Sequence, residues 1–260
     1  MNRSISRHRR PLVALAVTAL LGAVAAAGGA GAATPSASHP AAAAAAKPTP
    51  KGPPIIPLPP HHRFVDNIDN PLLPMLPGTK WIYRAGSDGE ERIVVKVLQR
   101  TKQIEGITAT VVRDTVSVDG EILEDTFDWF AQDCRGNVWY LGEATKSYED
   151  GGVSTAGSWE AGVDGAKAGI AMLAQPKVGD RYRQEYYKGE AEDIGEVLDV
   201  STKVAGPSGR YRHVLMTKDT TPLDRAIVEL KFYAPGVGVV REIDLNPEQG
   251  SGDLIRMVKP

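Results

Sequence analysis

From about Phe64 onward the chain is built of short runs in which apolar and polar side chains alternate. Ile93-Val94-Val95-Lys96-Val97-Leu98 is one, and residues 109–118 form another. Both are rich in β-branched residues, and a period of two sends successive side chains to opposite faces of a strand. Asp119-Gly120 separates the second run from a Phe/Trp-rich one over residues 121–131. An Asp-Gly pair between two such runs predicts a tight hairpin. Further runs cover residues 79–85, 137–142, 181–188, 193–200, 210–217, 226–234, 237–245 and 253–258. The pattern predicts a mostly all-β fold: about ten antiparallel strands in a curved sheet, half-barrel or barrel. One short helix is expected over residues 166–174, stopped by Pro176.

The pattern also recurs. Gly78-Thr79-Lys80-Trp81 opens one series of runs and Gly179-Asp180-Arg181-Tyr182 opens another, 101 residues later. The same interval sets Val97 on Leu198, Thr110 on Tyr211, Val112 on His213, Phe127 on Val228 and Val138 on Val239. Two five-stranded units, residues 78–143 and 179–245, would fold together into one layer that curls on itself. Its concave side is then either filled or lines a cavity. The Gly- and Ala-rich crossover, residues 144–178, reads as a connection or lid.

Three stretches carry a resemblance: residues 70–81, Gly136-Asn137-Val138-Trp139-Tyr140-Leu141-Gly142-Glu143, and Tyr233-Ala234-Pro235-Gly236-Val237-Gly238-Val239-Val240. They resemble a group of secreted bacterial proteins of no assigned activity, over most of residues 64–258. More loosely, the Gly-x-x-Trp opening and the Tyr-Ala-Pro-Gly-Val-Gly turn are similar to envelope proteins with half-open antiparallel barrels, some of which carry lipids. The first resemblance implies no activity. The second is an analogy of fold, which does not fix function. Neither assigns a role to any residue.

The N-terminus departs from the β pattern. Arg3, Arg7, Arg9 and Arg10 precede an apolar run over residues 12–27, and Ala30-Gly31-Ala32 supplies a small-x-small cleavage pattern. Residues 1–32 therefore read as a signal peptide, and the run is too short and too rich in Gly and Ala for a membrane span. Arg9-Arg10 is a twin-arginine feature, but Pro11 and the missing downstream consensus favour ordinary secretion. No cysteine lies near the cleavage pattern to take a lipid. Residues 33–62 are Ala-, Pro- and Ser-rich and read as a disordered leader. A single β domain, residues 63–260, follows. The expected location is extracellular or associated with the cell envelope.

Composition narrows the chemistry. Of 30 basic side chains, four leave with the signal; 26 then stand against 32 acidic ones, a net charge of −6. Such a chain has no general attraction for nucleic acid. Cys134 is the only cysteine, so no intrachain disulfide forms. Of the five histidines, His8, His39, His61 and His62 lie in the signal, the leader or its edge, and only His213 falls in the folded part. A catalytic zinc site wants more. Gly157-Ser158-Trp159-Glu160 fails the nucleophile-elbow pattern. His213 reads as a half-buried strand residue, and Gly236-Val237-Gly238 as a turn and not a phosphate loop.

One pair does not fit a packed core. With a two-residue turn at Asp119-Gly120, Val112 faces Phe127, Thr110 faces Trp129, and Asp114 faces Asp125 in the middle of the apolar face. Opposed like charges there are destabilising. A divalent cation could bridge Asp114 and Asp125. Arg183, Arg241 or Lys96 could pair with them, the two could share a proton, or a polar ligand group could sit between them. A slipped register would remove the problem.

These features favour a secreted, non-enzymatic binding protein for a small apolar or amphipathic molecule, with no cofactor required. Its concave face would be lined by Trp81, Tyr83, Phe127, Trp129, Trp139, Tyr182 and Phe232, with Asp114 and Asp125 as the placed polar groups. The alternatives are a glycoside-type hydrolase working with carboxylates alone and a tethered domain that presents aromatics at its surface. The sequence leaves the oligomeric state open.

Overall fold

The computed structural model describes residues 52–149, 151–246 and 250–260. The expected signal peptide, and the leader as far as Lys51, lie outside the described residues. After one 3-10 turn, His61–Arg63, the described chain forms seventeen strands. β1 (Phe64–Val65) precedes a meander of β2 (Lys80–Ala85), β3 (Glu91–Ile104), β4 (Ile107–Val118), β5 (Glu121–Asp133) and β6 (Val138–Ala144). Three short strands, β7 (Ser147–Glu149), β8 (Gly152–Ser154) and β9 (Trp159–Glu160), occupy the crossover and lead to β10 (Lys167–Met172). A second meander follows: β11 (Arg181–Arg183), β12 (Glu185–Tyr186), β13 (Ile194–Gly206), β14 (Gly209–Thr220), β15 (Val228–Ala234), β16 (Gly238–Asp244) and β17 (Ser251–Val258).

Consecutive strands of each meander pair antiparallel, β11 pairing with β13 and β12 continuing it. Two strands join the meanders. β10 lies between β6 and β12, and β17 lies between β16 and β2. The ladder thus returns to its start as a nearly closed barrel, which hides the free edges that an open sheet would present. Every run read from the alternation contains a strand. The added strands are β1, the three crossover pieces and β10.

β10 replaces the expected helix. Its Ala, Gly and Ile residues are buried from Ala168 to Met172. A Cβ on Gly169 would run into the Gln184 carbonyl. The small residues that read as helix formers are there because two backbones approach closely.

The same local geometry occurs in both meanders. Thr79 N donates to Leu76 O at 3.0 Å, and Asp180 N to Lys177 O at 2.9 Å. Gly78 N and Val97 N bond Val97 O and Thr79 O; Gly179 N and Val197 N bond Val197 O and Asp180 O. In the closing hairpins Gln132 opposes Val138 and Asp128 opposes Glu143, while Ala234 opposes Gly238 and Glu229 opposes Asp244.

The proline-rich stretch expected to be loose lies, from Gly52 on, against the outside of the barrel. Arg183 Nε donates to Pro53 O at 3.0 Å, Leu58 packs on the core, Arg63 N bonds Pro60 O, and Cys134 N bonds Arg63 O. The strap runs from β11 to the β5–β6 turn.

Gly169→Ala should force β10 from β12 and destabilise the fold by about 2 kcal/mol. Ala168→Gly, which leaves the approach intact, should cost only about 1 kcal/mol. Thermal unfolding of the two variants checks this.

Candidate functional site

The Asp119-Gly120 turn forms as the sequence predicts, with φ of 52° and 86° and Val118 opposite Glu121. The register beyond it does not. Val116 opposes Glu124 and Ser117 opposes Ile122, so Leu123 is an extra residue. Such a bulge shifts all later positions by one and exchanges the two faces of the strand. Asp114 therefore faces Thr126, and Asp125 faces Thr115. The two aspartates lie on opposite sides of the sheet and cannot share a cation or a proton. Asp125 takes a bidentate bond from Arg113, at 2.7 and 3.0 Å, on the outer side.

Phe127 and Trp129 move with Asp125. Both leave the concave face and lie under cationic side chains. The Arg100 guanidinium carbon is 4.6 Å from the Phe127 ring centre, and Lys102 Nζ is 3.3 Å from that of Trp129. Lys102 also bonds Glu160 at 2.7 Å. Each aromatic so gains cover and a cation–π contact.

In their place the slip brings Glu124, Thr126, Asp128 and Phe130 inward. Ten buried carboxyl groups line the interior: Glu91, Asp114, Glu124, Asp128, Glu143, Glu185, Asp193, Asp219, Glu229 and Glu242. Among the described residues the only buried cation is Lys231. Its Nζ lies 3.3 Å from Asp219, 3.3 Å from Glu229 and 3.9 Å from Glu242. The expected cations are elsewhere: Arg241 pairs with Asp253, Arg183 holds the strap, and Lys96 is exposed.

Neutral donors serve some of the acids. Tyr140 Oη donates to Asp128 Oδ1 at 2.8 Å, Trp159 Nε1 to Glu185 Oε2 at 2.9 Å, and Gln184 Nε2 to Asp219 Oδ2 at 3.0 Å. Both oxygens of Asp114 lack a side-chain donor, and Asp128 Oδ2, Glu143 Oε2 and Glu242 Oε1 have none. No three His, Cys, Asp or Glu side chains among the described residues are grouped to hold a metal ion.

Burial, reinforced by neighbouring acids, holds the protons on. It raises Asp114 well above the usual carboxyl range, with Asp128 and Glu124 adding to it. Asp128 is pushed up to about 7 by burial, against the pull of the Tyr140 hydroxyl. Burial lifts Asp193 to about 8 and Glu229 to about 7, although Lys231 draws both down. Glu143, Glu185 and Glu242 are raised well above their ordinary value, by burial first and then by the acids beside them. Lys231 is raised because Glu229, Glu242 and Asp219 outweigh its own desolvation.

The other aromatics named from the sequence are buried and engaged. Trp81 Nε1 donates to Val237 O at 2.6 Å, and Tyr83 Oη to Val239 O at 3.1 Å. Tyr182 lies against Gly195, and Phe232 belongs to the core. None of the seven stands free at the surface. His213, expected half-buried, is exposed in an irregular part of β14, with φ 55°.

Trp139 borders an open space. A half-open pocket of about 410 Å³ lies between the strap and the barrel wall, against Ile56, Pro57, Arg63, Arg135, Trp139, Ile170 and Leu173. A wider, more polar one of about 500 Å³ adjoins it, sharing Asp133, Cys134 and Arg135. The wall is fixed in place. Asp133 accepts from the Arg135 and Asn137 N–H groups, Asn137 Nδ2 and Trp139 Nε1, at 2.8–3.0 Å. Burial alone would raise Asp133, but these bonds hold it below its ordinary value. Asn70 Nδ2 ties the β5–β6 turn to the end of β10 through Gly136 O and Leu173 O.

Comparison with known proteins adds little to this. No protein-family model matches the chain, and no curated protein does. Two solved structures align with it. One is a candidate exported protein with a YmcC-like fold from Bacteroides fragilis NCTC 9343, 18% identical, with a TM-score of 0.43, covering 72% of this chain and 99% of that one. The other is a candidate lipoprotein from Parabacteroides distasonis ATCC 8503, 13% identical, with a TM-score of 0.41, covering 72% and 98%.

The interior carboxyls set the pH response. The folded pKa values of Asp114, Asp128, Glu143, Glu185, Asp193, Glu229 and Glu242 exceed the unfolded ones, so the folded state holds more protons above about pH 4. The stability they allow is complete below that pH and is lost as pH rises through 7 to 8, where Asp128, Glu229 and Asp193 titrate. The melting midpoint should be higher at about pH 5.5 than at about pH 8.5. Asp114→Asn should raise the midpoint at the alkaline pH and leave it nearly unchanged at the acid one. Asp125→Asn, which loses only the outer pair with Arg113, should cost under about 1 kcal/mol at both.

Proposed function

We propose that this chain is an exported, non-enzymatic binding protein that holds a small amphipathic anion under the proline strap. The observation that carries this reading is the composition of the 410 Å³ pocket: an apolar floor of Trp139, Ile170 and Leu173 with Arg63 and Arg135 in the same lining. Apolar lining with a few placed polar groups is the usual make-up of a small-molecule site. The two arginines supply a local positive charge on a chain that is acidic as a whole. Asp133, the acid in the lining, is already engaged by four donors.

Export rests on the N-terminal signal read from the sequence. The recurrence of turn and hairpin pairings at intervals of 100 to 102 residues supports a duplicated origin for the two meanders. On this reading the site belongs to one meander only, because the strap covers the β5–β6 side. The concave interior is not the ligand's place, since acids and their partners occupy it. Nor do those acids suit a glycoside-type hydrolase, which needs a cleft that admits sugar and water between its carboxylates.

The test is titration of the mature protein with dodecanoate and dodecyl phosphate, followed by tryptophan fluorescence. A saturable change with a Kd near 10 μM (about −7 kcal/mol) is expected. It should vanish in Trp139→Ala and weaken about tenfold in the Arg63→Ala/Arg135→Ala double variant. A response that survives both changes places the ligand elsewhere and removes this reading.

A further inference from the structure

The ring of strands is not equally strong all the way round. β3 and β4 share eleven paired positions, whereas β10 and β12 share two, Lys167 with Tyr186 and Ala168 with Glu185. The next ladder, β11 with β13, has three. The barrel therefore closes through its shortest ladder between β10 and β12, and acids surround that ladder. Glu185 projects inward from β12 itself. Glu143 stands on β6 just beyond the positions that pair with β10, opposite Trp159 of β9, whose indole N–H bonds Glu185, and Asp193 immediately precedes β13. All three are buried, and Glu143 Oε2 has no partner. β10 brings no inward charge of its own, because Lys167 is exposed.

The groups that face this trio are acidic on nearly every side. Glu143 meets Glu185, Asp128, Glu124 and Asp193. Glu185 meets Asp193, Asp128 and Lys231, and accepts from Trp159 Nε1. Asp193 meets Lys231, Glu229 and Asp219, and bonds Thr221. Lys231 sits with Asp219, Glu229 and Glu242, so its charge is already claimed three times over. If Glu143, Glu185 and Asp193 all ionise, three like charges straddle a ladder of two paired positions.

We propose that the β10–β12 ladder is a proton-held gate: protons on Glu143, Glu185 and Asp193 keep the barrel closed, and their loss parts β10 from β12 while the rest of the ring holds. The sign follows from linkage. Each of these acids keeps its proton to a higher pH in the closed barrel than in water. Opening therefore releases protons, and rising pH favours the open form. Local opening at the weakest part of a fold is an ordinary event in β proteins. Here the fold makes it depend on pH. The gate stands whether or not the end pocket binds a ligand.

The test is hydrogen exchange of the mature protein at about pH 6 and about pH 9, corrected for the intrinsic rate at each pH. For one proton released on opening, the open fraction grows about tenfold per pH unit. Protection of residues 167–172 and 181–186 should fall at least about tenfold, while that of residues 91–104 and 107–118 is retained. Glu143→Gln/Glu185→Gln should keep more protection than the parent at the higher pH, because the two amides keep the shape and cannot ionise, and only Asp193 of the three still can. Asp125→Asn, on the outer face, should open like the parent. Unchanged protection throughout overturns the gate, and so does a loss shared equally by all strands, which is global unfolding. Should the double variant fail to fold, the contrast between the two pairs of segments in the parent protein still decides.

Discussion

One ammonium group stands against ten carboxyl groups inside this barrel. Lys231 reaches Asp219, Glu229 and Glu242, and no other buried cation is present among the described residues. Six or more acids must therefore be held by protons and neutral donors, since unpaired buried charge costs several kcal/mol per group. The rest of the interior answers to that constraint. Tyr140, Trp159 and Gln184 are polar-tipped side chains in positions that an ordinary core would give to Leu or Phe, and each donates to an acid.

The sheet's closure keeps those acids away from water. It is made twice, by β10 after the first meander and by β17 after the second. The β10 side has the shorter ladder, and the strap crosses the outside there from Pro53 on β11 to Pro60 beside the β5–β6 turn. A polyproline segment has no internal hydrogen bonds to satisfy. It can lie on a surface at low entropic cost and hold two parts of a ring together through a few contacts. The pocket is a by-product of the same arrangement, a gap between a stiff strap and a twisted wall.

The strands were legible because their alternation is a local property that burial on one face enforces. The Asp119-Gly120 turn was legible for the same reason, since positive φ at both central residues selects those residue types. The site was less so. A bulge leaves no mark in composition, so Asp114 and Asp125 read as partners on one face. A signal for the interior did exist in the second meander. Glu229, Lys231 and Tyr233 alternate on one face, an acid and a base in line with a large aromatic. β10 was misread because Ala and Gly serve helix propensity and close backbone approach alike, and only the position of Gln184 distinguishes them.

Leu123 has a consequence out of proportion to its size. It is the one extra residue that turns Phe127 and Trp129 outward and Glu124 and Asp128 inward. Point substitutions along β5 can alter this interior one side chain at a time. Loss of Leu123 alone would exchange the two faces of the strand together and place aromatics where the acids now lie. The character of the barrel's interior is in this sense a frame, set by chain length between two turns.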